Sequence, residues 1–269
     1  MEQVQARPMI ELFAGELRRA RTGAGLTQDA LAKTISFSDS LVAMVEQCRR
    51  LPSLDFTRRC DEALNTDGLL ERIREAVTSA ALLPWFREWV AIEQEATVIR
   101  SFQPMMFPGL LQTEEYARAL YVGGSYFSPE EIEQQVQARL QRQRILARET
   151  PPWSVFVLDE GVLRRQVGDR EVMWAQVARL LEAARAKRTE VQVVPSGVGA
   201  YGGFIGGFAM ATQPEGGEVG FVDNQVRGQL VAREADVRHL RNVWESIRAE
   251  ALPTAQTITL VEEVLATWT

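Results

Sequence analysis

The sequence predicts an α+β protein in which an N-terminal all-α domain of five helices and a helical connector precede a C-terminal α/β domain with a small mixed sheet. Three observations carry that expectation. Residues 10–65 alternate helix-length amphipathic runs with short polar breaks and hold no alternating β-branched segment. A well-capped helix opens at Ser128 and stops at Pro151–Pro152, where the pattern changes. Beyond it, two short apolar runs lie roughly 30 residues apart with helical sequence between them, the spacing of a parallel β-α-β crossover.

Each element follows from local chemistry. Helical periodicity continues through Leu69–Val77 and Trp85–Val98. After the turn-rich Gln103–Gly109, another helix covers Glu114–Tyr121 and breaks at Gly123–Gly124. Ser128 is an N-cap, Pro129 takes the first helical position and Glu131 completes a capping box, with Arg144 and Arg148 at the opposite end of the dipole. Val155–Leu158 is a strand, Val162–Lys187 is mostly helix, and Val191–Val194 is a second strand stopped by Pro195. Gly206–Thr212 and Glu218–Val222 form strands joined by the hairpin loop Gln213–Gly217. A helix near Glu234–Ala251 follows, and Thr257–Ala266 fits either a strand or a helix. The expected domains are 1–75 and 76–269, the latter helical over 76–150 and α/β over 151–269.

Composition excludes several classes. With 269 residues, 46% hydrophobic and 25% charged, the chain has ample apolar material for a core and is not predominantly disordered. No run of about 18 apolar residues is present to span a membrane, and Met1–Ile10 lacks the pattern of a signal peptide. Cys48 and Cys60 are too few for a disulfide framework, which points to a reducing cytoplasm. A single histidine, His239, argues against a His-based zinc site or a Ser-His-Asp triad. No catalytic set, metal or cofactor is expected. The net charge of −6 opposes nucleic-acid binding until it is divided by domain. Residues 1–65 hold nine basic and nine acidic residues, so the acidity belongs to the remainder.

The sharpest pattern lies at Gly25–Ile35 and Ser38–Glu46. Thr27 is an N-cap, Ala30 permits close helix packing, and Leu31 and Ile35 face Val42 and Val45 across a three-residue turn. Two helices joined so tightly can present the second to the DNA major groove. The stretch from about Leu12 to Leu64 resembles the Xre, or lambda-repressor-like, helix-turn-helix family, whose Leu-[Thr/Ser]-Gln-x-x-Leu-Ala, turn, recognition helix and Arg-Pro-Ser pattern appears at Leu26–Ala32, Ser36–Ser38, Asp39–Glu46 and Arg49–Ser53. The resemblance implies a structural ion pair between Arg21 and Glu46. It departs from the family at Ser36 and Cys48, where glycine is usual.

The same resemblance assigns DNA binding to Gln28, Ser38, Asp39, Ser40, Ala43 and Met44, with Gln28 on a phosphate. Ser40 can donate or accept, Asp39 can accept from cytosine N4, and Ala43 or Met44 can touch a thymine methyl. Met44 equally suits core packing, and Asp39 equally suits a helix N-terminal charge. Arg18, Arg19, Lys33, Arg49 and Arg50 are candidates for phosphate contact. Few bidentate readers stand on this face, so binding is expected to need two heads, a homodimer on an inverted repeat of double-stranded DNA. Cys48 and Cys60 are expected to be small packed residues.

A second resemblance covers about Leu83–Val264. Trp85-Phe86-x-x-Trp89-Val90-x-x-Glu93-x-x-Ala96, Phe107–Thr113 with Tyr116–Ala119, Arg139-x-x-Arg142-Gln143-x-x-Leu146, Asp159-Glu160 and Val191–Pro195 resemble a domain of unknown function that follows an Xre-type motif in many actinobacterial regulators. That resemblance implies an antitoxin-like regulator, commonly with a small partner protein encoded nearby. Trp85, Trp89, Phe107 and Tyr116 fit an aromatic pocket or partner groove, or else the packed junction between helical and α/β parts. Asp159 and Glu160 occupy the usual ligand edge of an α/β sheet, yet adjacent strand residues point to opposite sides, which favours a turn or cap over catalysis. Gly197-x-Gly199-x-x-Gly202-Gly203 follows a strand but lacks the Lys-Ser/Thr of a phosphate loop, and fits a flexible loop or hairpin corner. Arg139, Arg142 and Arg148 are expected on a solvated helix face, with His239 exposed. The whole fits a DNA-binding transcriptional regulator whose C-terminal domain senses a ligand or holds a protein partner and is not an enzyme.

Overall fold

The computed structural model describes residues 6–82, 84–124, 127–224 and 226–269. The chain forms two compact units, Met1–Leu83 with Tyr126–Gln141, and Pro84–Ser125 with Arg142–Thr269. The α+β class is as expected.

The first unit has five N-terminal helices, α1 (Ala6–Gly23), α2 (Gln28–Ile35), α3 (Asp39–Glu46), α4 (Leu54–Leu64) and α5 (Leu69–Ala81). Their caps follow from sequence: the Thr27, Ser38 and Ser53 hydroxyls accept from the backbone N–H groups of Ala30, Leu41 and Phe56. Phe13, Leu17, Leu31, Ile35, Val42, Val45, Phe56, Leu70 and Val77 bury one face of each helix against the others. Each such apolar side chain contributes about 1.5–3 kcal/mol by leaving water. A sixth helix, α8 (Pro129–Gln143), adds its residues up to Gln141 to this unit. Its capping box forms as expected: Glu131 Oε2 accepts from Ser128 N at 2.8 Å, and Ser128 Oγ accepts from Glu131 N at 3.2 Å. Arg74 of α5, 2% exposed, donates to Gln137 Oε1 at 3.0 Å, to Gln141 Oε1 at 2.9 Å and to the Pro52 carbonyl at 2.9 Å. A buried guanidinium is tolerable only with such partners.

The second unit holds a six-stranded mixed sheet in the order β3-β2-β1-β4-β5-β6. Its strands are β1 (Val98–Gln103), β2 (Trp153–Asp159), β3 (Thr189–Val194), β4 (Phe208–Thr212), β5 (Glu218–Asp223) and β6 (Gly228–Val231). β1, β2 and β3 run parallel, and β4, β5 and β6 extend the sheet antiparallel from β1. The unit's other helices are α6 (Pro84–Glu95), α7 (Glu114–Gly124), α9 (Glu160–Arg164), α10 (Arg170–Ala184), α11 (Glu234–Glu250) and α12 (Thr254–Thr267). Alternation along the strands loads both faces of the sheet. Phe156 and Leu158 join Trp89, Tyr116, Val177, Leu180, Val261 and Val264 in one core layer. Val155 and Val157 join Phe102, Met210, Val237, Trp244 and Ile247 in the other. Being buried on both faces explains the unbroken apolar run Val155–Leu158 of β2.

One expectation is corrected. Residues 76–150 are not all helical: helix α6 ends at Glu95 and β1 occupies Val98–Gln103, at the centre of the sheet. The helical spacing from Trp85 continues numerically into Val98, and Arg100 makes the strand look too polar for a core position. The sheet neutralises that charge, since Arg100 Nη1 donates to Glu218 Oε1 at 2.9 Å. Val162–Lys187 is mostly helix as expected, divided into α9 and α10 around Gly168, whose φ is +71°. β6 went unread because its four residues follow a short turn. Thr257–Ala266 is helical, within α12.

The two family departures are felt in the backbone. Ser36 and Cys48 have φ of 59° and 60°, left-handed values that cost a side-chain-bearing residue about 1–2 kcal/mol. Glycine removes that strain but adds roughly 0.5–1 kcal/mol of unfolded-state entropy. The Ser36→Gly and Cys48→Gly variants are therefore expected each to stabilise the first unit by up to about 1 kcal/mol, read as a raised urea midpoint with unchanged m-value. An unchanged or lowered midpoint contradicts the strain argument.

Candidate nucleic-acid interface

Helices α2 and α3 pack through Leu31, Ala32, Ile35, Val42 and Val45, all buried. That packing turns the opposite side of α3 outward. Asp39 and Ser40 are exposed there, and Ala43 and Met44, one turn on, are half-buried. Met44 thus serves the surface and the packing at once. Ser38 caps α3 and lies 3.0 Å from the Ser40 hydroxyl, while Asp39 Oδ1 accepts from Ser40 N at 2.7 Å. The N-terminal turn of α3 therefore offers a compact set of hydroxyl and carboxylate groups. Arg49 and Arg50, in the segment leaving α3, are exposed.

The α3 angle is fixed from behind by Glu46. Its carboxylate, 1% exposed, accepts from Arg21 Nε at 2.6 Å and Arg21 Nη2 at 3.0 Å. Gln28 Nε2 donates to the same group at 2.7 Å, Arg18 Nε approaches it to 3.5 Å, and Arg18 Nη2 donates to the Glu46 carbonyl at 2.7 Å. The Arg21–Glu46 pair expected from the sequence is present, and it is bidentate. Gln28 and Arg18, expected on phosphates, are engaged inward on this carboxylate. Lys33 pairs with Asp29 at 2.8 Å and Arg19 with Glu16 at 3.6 Å, both on the surface.

A cleft of about 210 Å³ adjoins Arg49 and Arg50 within the first unit, lined also by Ile10, Cys48, Leu51, Pro129, Glu130, Glu133 and Gln134. Sequence reasoning missed it because α8 lies about 80 residues beyond the arginines. Two glutamates beside two candidate phosphate-binding arginines lower the local positive potential.

The remaining candidates fall differently. Trp89, Phe107 and Tyr116 do not form a ligand or partner surface: all are buried in the second core. Trp89 stacks on Phe221 at 5.4 Å and Phe107 meets Tyr116 edge-on at 5.1 Å, which consumes the ring faces a ligand would need. Trp85 is half-buried against the same core. Asp159 is the N-cap of α9, accepting from Gly161 N at 2.8 Å and from the Tyr201 hydroxyl at 2.9 Å. Glu160 accepts from Ser196 N at 2.9 Å and pairs with Arg164 at 2.8 Å. Burial pushes the Glu160 carboxyl up, but these bonds hold it below the usual range. The glycine-rich segment forms two short 3-10 turns, Ser196–Val198 and Gly202–Ile205.

Arg142 is not solvated, because its guanidinium pairs with the fully buried Glu93 and stacks over Phe86 at 4.9 Å. Cys48 is exposed rather than packed, its Sγ donating to the Ile10 carbonyl at 3.9 Å. Cys60 is packed, and burial first, then the nearby Asp61 and Glu46 charges, push its thiol up to about 12. His239 is exposed. Among the described residues no three His, Cys, Asp or Glu side chains cluster as a metal site, and no helix is long and apolar enough to cross a membrane.

Burial alone raises the Glu46 pKa, but hydrogen bonds from Arg21 and Gln28 and the charges of Arg21 and Arg18 outweigh it, leaving the carboxyl below its ordinary value. A depressed folded-state pKa means stabilisation that is complete above the unfolded value, near 4.3, and is lost as pH falls through the folded value. Glu46→Gln is expected to cost about 3–5 kcal/mol at neutral pH, since it leaves Arg21 buried without its counter-charge. The variant should also flatten the acid limb of the stability profile below about pH 5. Chemical denaturation at a series of pH values measures both, and an unchanged acid limb contradicts the assignment.

Comparison with known proteins puts a boundary at a similar place, between residues 73 and 86, although the second match also spans the α8 residues of the first unit. Residues 12–73 match a helix-turn-helix domain model, and residues 86–263 match the model of a domain of unknown function, DUF5753. No curated protein and no solved structure matches the chain. The first unit is accordingly the helix-turn-helix domain of a DNA-binding regulator. With more than half of its length inside the second match, the chain belongs to the DUF5753 family.

Proposed function

We propose that this protein is an Xre-type transcriptional regulator that binds an inverted repeat of double-stranded DNA as a homodimer, with α3 in the major groove. The observation that carries the reading is the outward N-terminal turn of α3, Ser38, Asp39 and Ser40, held at a fixed angle by the Glu46 cluster behind it. Asp39 accepts from cytosine N4, Ser40 donates or accepts, and Ala43 with Met44 contacts a thymine methyl. Arg49 and Arg50 contact phosphates. Gln28 acts through Glu46, as a residue that positions α3. Because residues 1–65 are neutral in sum, bulk charge adds little and two heads are needed for useful affinity. The second unit is the interaction body that sets the response, and the capping and loop bonds of Asp159 and Glu160 support binding rather than catalysis there.

An electrophoretic shift with the protein's own promoter region tests the reading. A salt-sensitive, sequence-dependent shift is expected at low salt, and its absence defeats the assignment. Arg49→Ala and Arg50→Ala should weaken binding evenly across sequences, each lowering the slope of log K against log salt by about 0.9 per head. Asp39→Asn should instead change base preference, at about 1–3 kcal/mol per affected pair.

A further inference from the structure

The loops at one end of the sheet carry side chains unsuited to water. Phe208 of β4 stands opposite Phe102 of β1, so the segment before β4 lies beside the segment that leaves β1. Val222 stands opposite Phe208, and Gly228 opposite Asp223, which brings the β5–β6 turn to the same end. Met105 is 66% exposed there, Phe204 68%, Val226 80% and Ile205 99%. Together with Met106 they put five exposed apolar side chains at this end, their summed accessible area on the order of 700 Å² with backbone atoms included, and such groupings mark interaction sites.

The loop is held in this position. A Cβ on Gly203 would fall 2.3 Å from the Phe102 ring, so the backbone lies directly on that ring. Tyr201 packs edge-on against Phe102 at 6.1 Å and against Phe204 at 5.3 Å, and its hydroxyl is fixed on Asp159. Phe204 and Ile205 are thus propped outward on a built support.

We infer that this apolar edge is the surface through which two copies of the chain associate. The inference rests on the dimeric DNA-binding reading above, which requires a contact between copies. The area approaches the ≈800 Å² per partner of a standard interface. Asp223 at the end of β5 and Arg227 in the turn bearing Val226 put both signs of charge beside the patch, which lets like surfaces complement each other across a two-fold axis. An anionic bilayer would instead select a cluster of lysines and arginines.

Sedimentation velocity of the full chain at micromolar concentration, with and without Phe204→Ser/Ile205→Ser, tests the surface. Wild type should sediment as a dimer, and the double variant should dissociate with at least a ten-fold weaker constant. The variant should still bind an isolated half-site as wild type does, while losing its preference for the inverted repeat. Ile205→Asp, at a fully exposed position, gives the same readout without risk to folding. A dimeric wild type with equally dimeric variants overturns the surface alone. A wild type that binds DNA only as independent monomers overturns both this inference and the dimeric reading. Binding to anionic vesicles that depends on Phe204 and Ile205, with the oligomeric state unchanged, overturns it in favour of a membrane.

Discussion

Three helices of the DNA-binding unit meet on a single buried carboxylate. Arg18 and Arg21 come from α1, Gln28 from α2, and Glu46 closes α3, so one anion ties together the elements whose mutual angle defines a reading surface. The apolar contacts of Leu31, Ile35, Val42 and Val45 are non-directional and tolerate small slides. A bidentate guanidinium-carboxylate pair does not, because its two parallel bonds set distance and rotation together. The hydrophobic core makes the unit compact, and the Glu46 cluster selects one arrangement from those the core permits.

The second unit handles its internal charges in the same way. Glu218 on β5 takes Arg100 from β1 and Arg241 from α11, which joins strand to strand and sheet to helix through one acid. Glu93 on α6 takes Arg142 under the Phe86 ring. Arg100, Glu218, Glu93 and Arg142 are thus each drawn inside with a counter-charge, as the desolvation cost demands. The sheet's carboxylate-bearing edge is similarly occupied, with Asp159 and Glu160 fastening a helix start and a loop.

Much of this was legible in the sequence. The caps at Thr27 and Ser128, the Arg21–Glu46 pair, the β2-α-β3 crossover and the β4–β5 hairpin are local or motif-borne signals, and each is in the structure. β1 was not legible, because its strand character comes from neighbours far along the chain, and Arg100 reads as a surface residue until Glu218 is placed beside it. The aromatic residues Trp89, Phe107 and Tyr116 were ambiguous for a related reason, since spacing shows which face a ring takes but not what covers it. Of the interface, the α3 positions were readable from pattern. The inward engagement of Gln28 and Arg18 was not, because both side chains reach partners on other helices.

The first unit is discontinuous: α8 completes it only after the chain has traversed Pro84–Ser125 of the second. During synthesis, the five N-terminal helices therefore leave the ribosome well before the segment that supplies Gln137 and Gln141 to Arg74. At 5–20 residues per second, the interval between residue 83 and residue 141 lasts roughly 3–12 s. Throughout that interval Arg74 lacks the Gln137 and Gln141 amide oxygens of α8, while the Pro52 carbonyl is already within the emerged segment. Vectorial folding thus delays completion of the head until part of the second unit has already emerged, so a message truncated before α8 yields a head lacking one of its own helices.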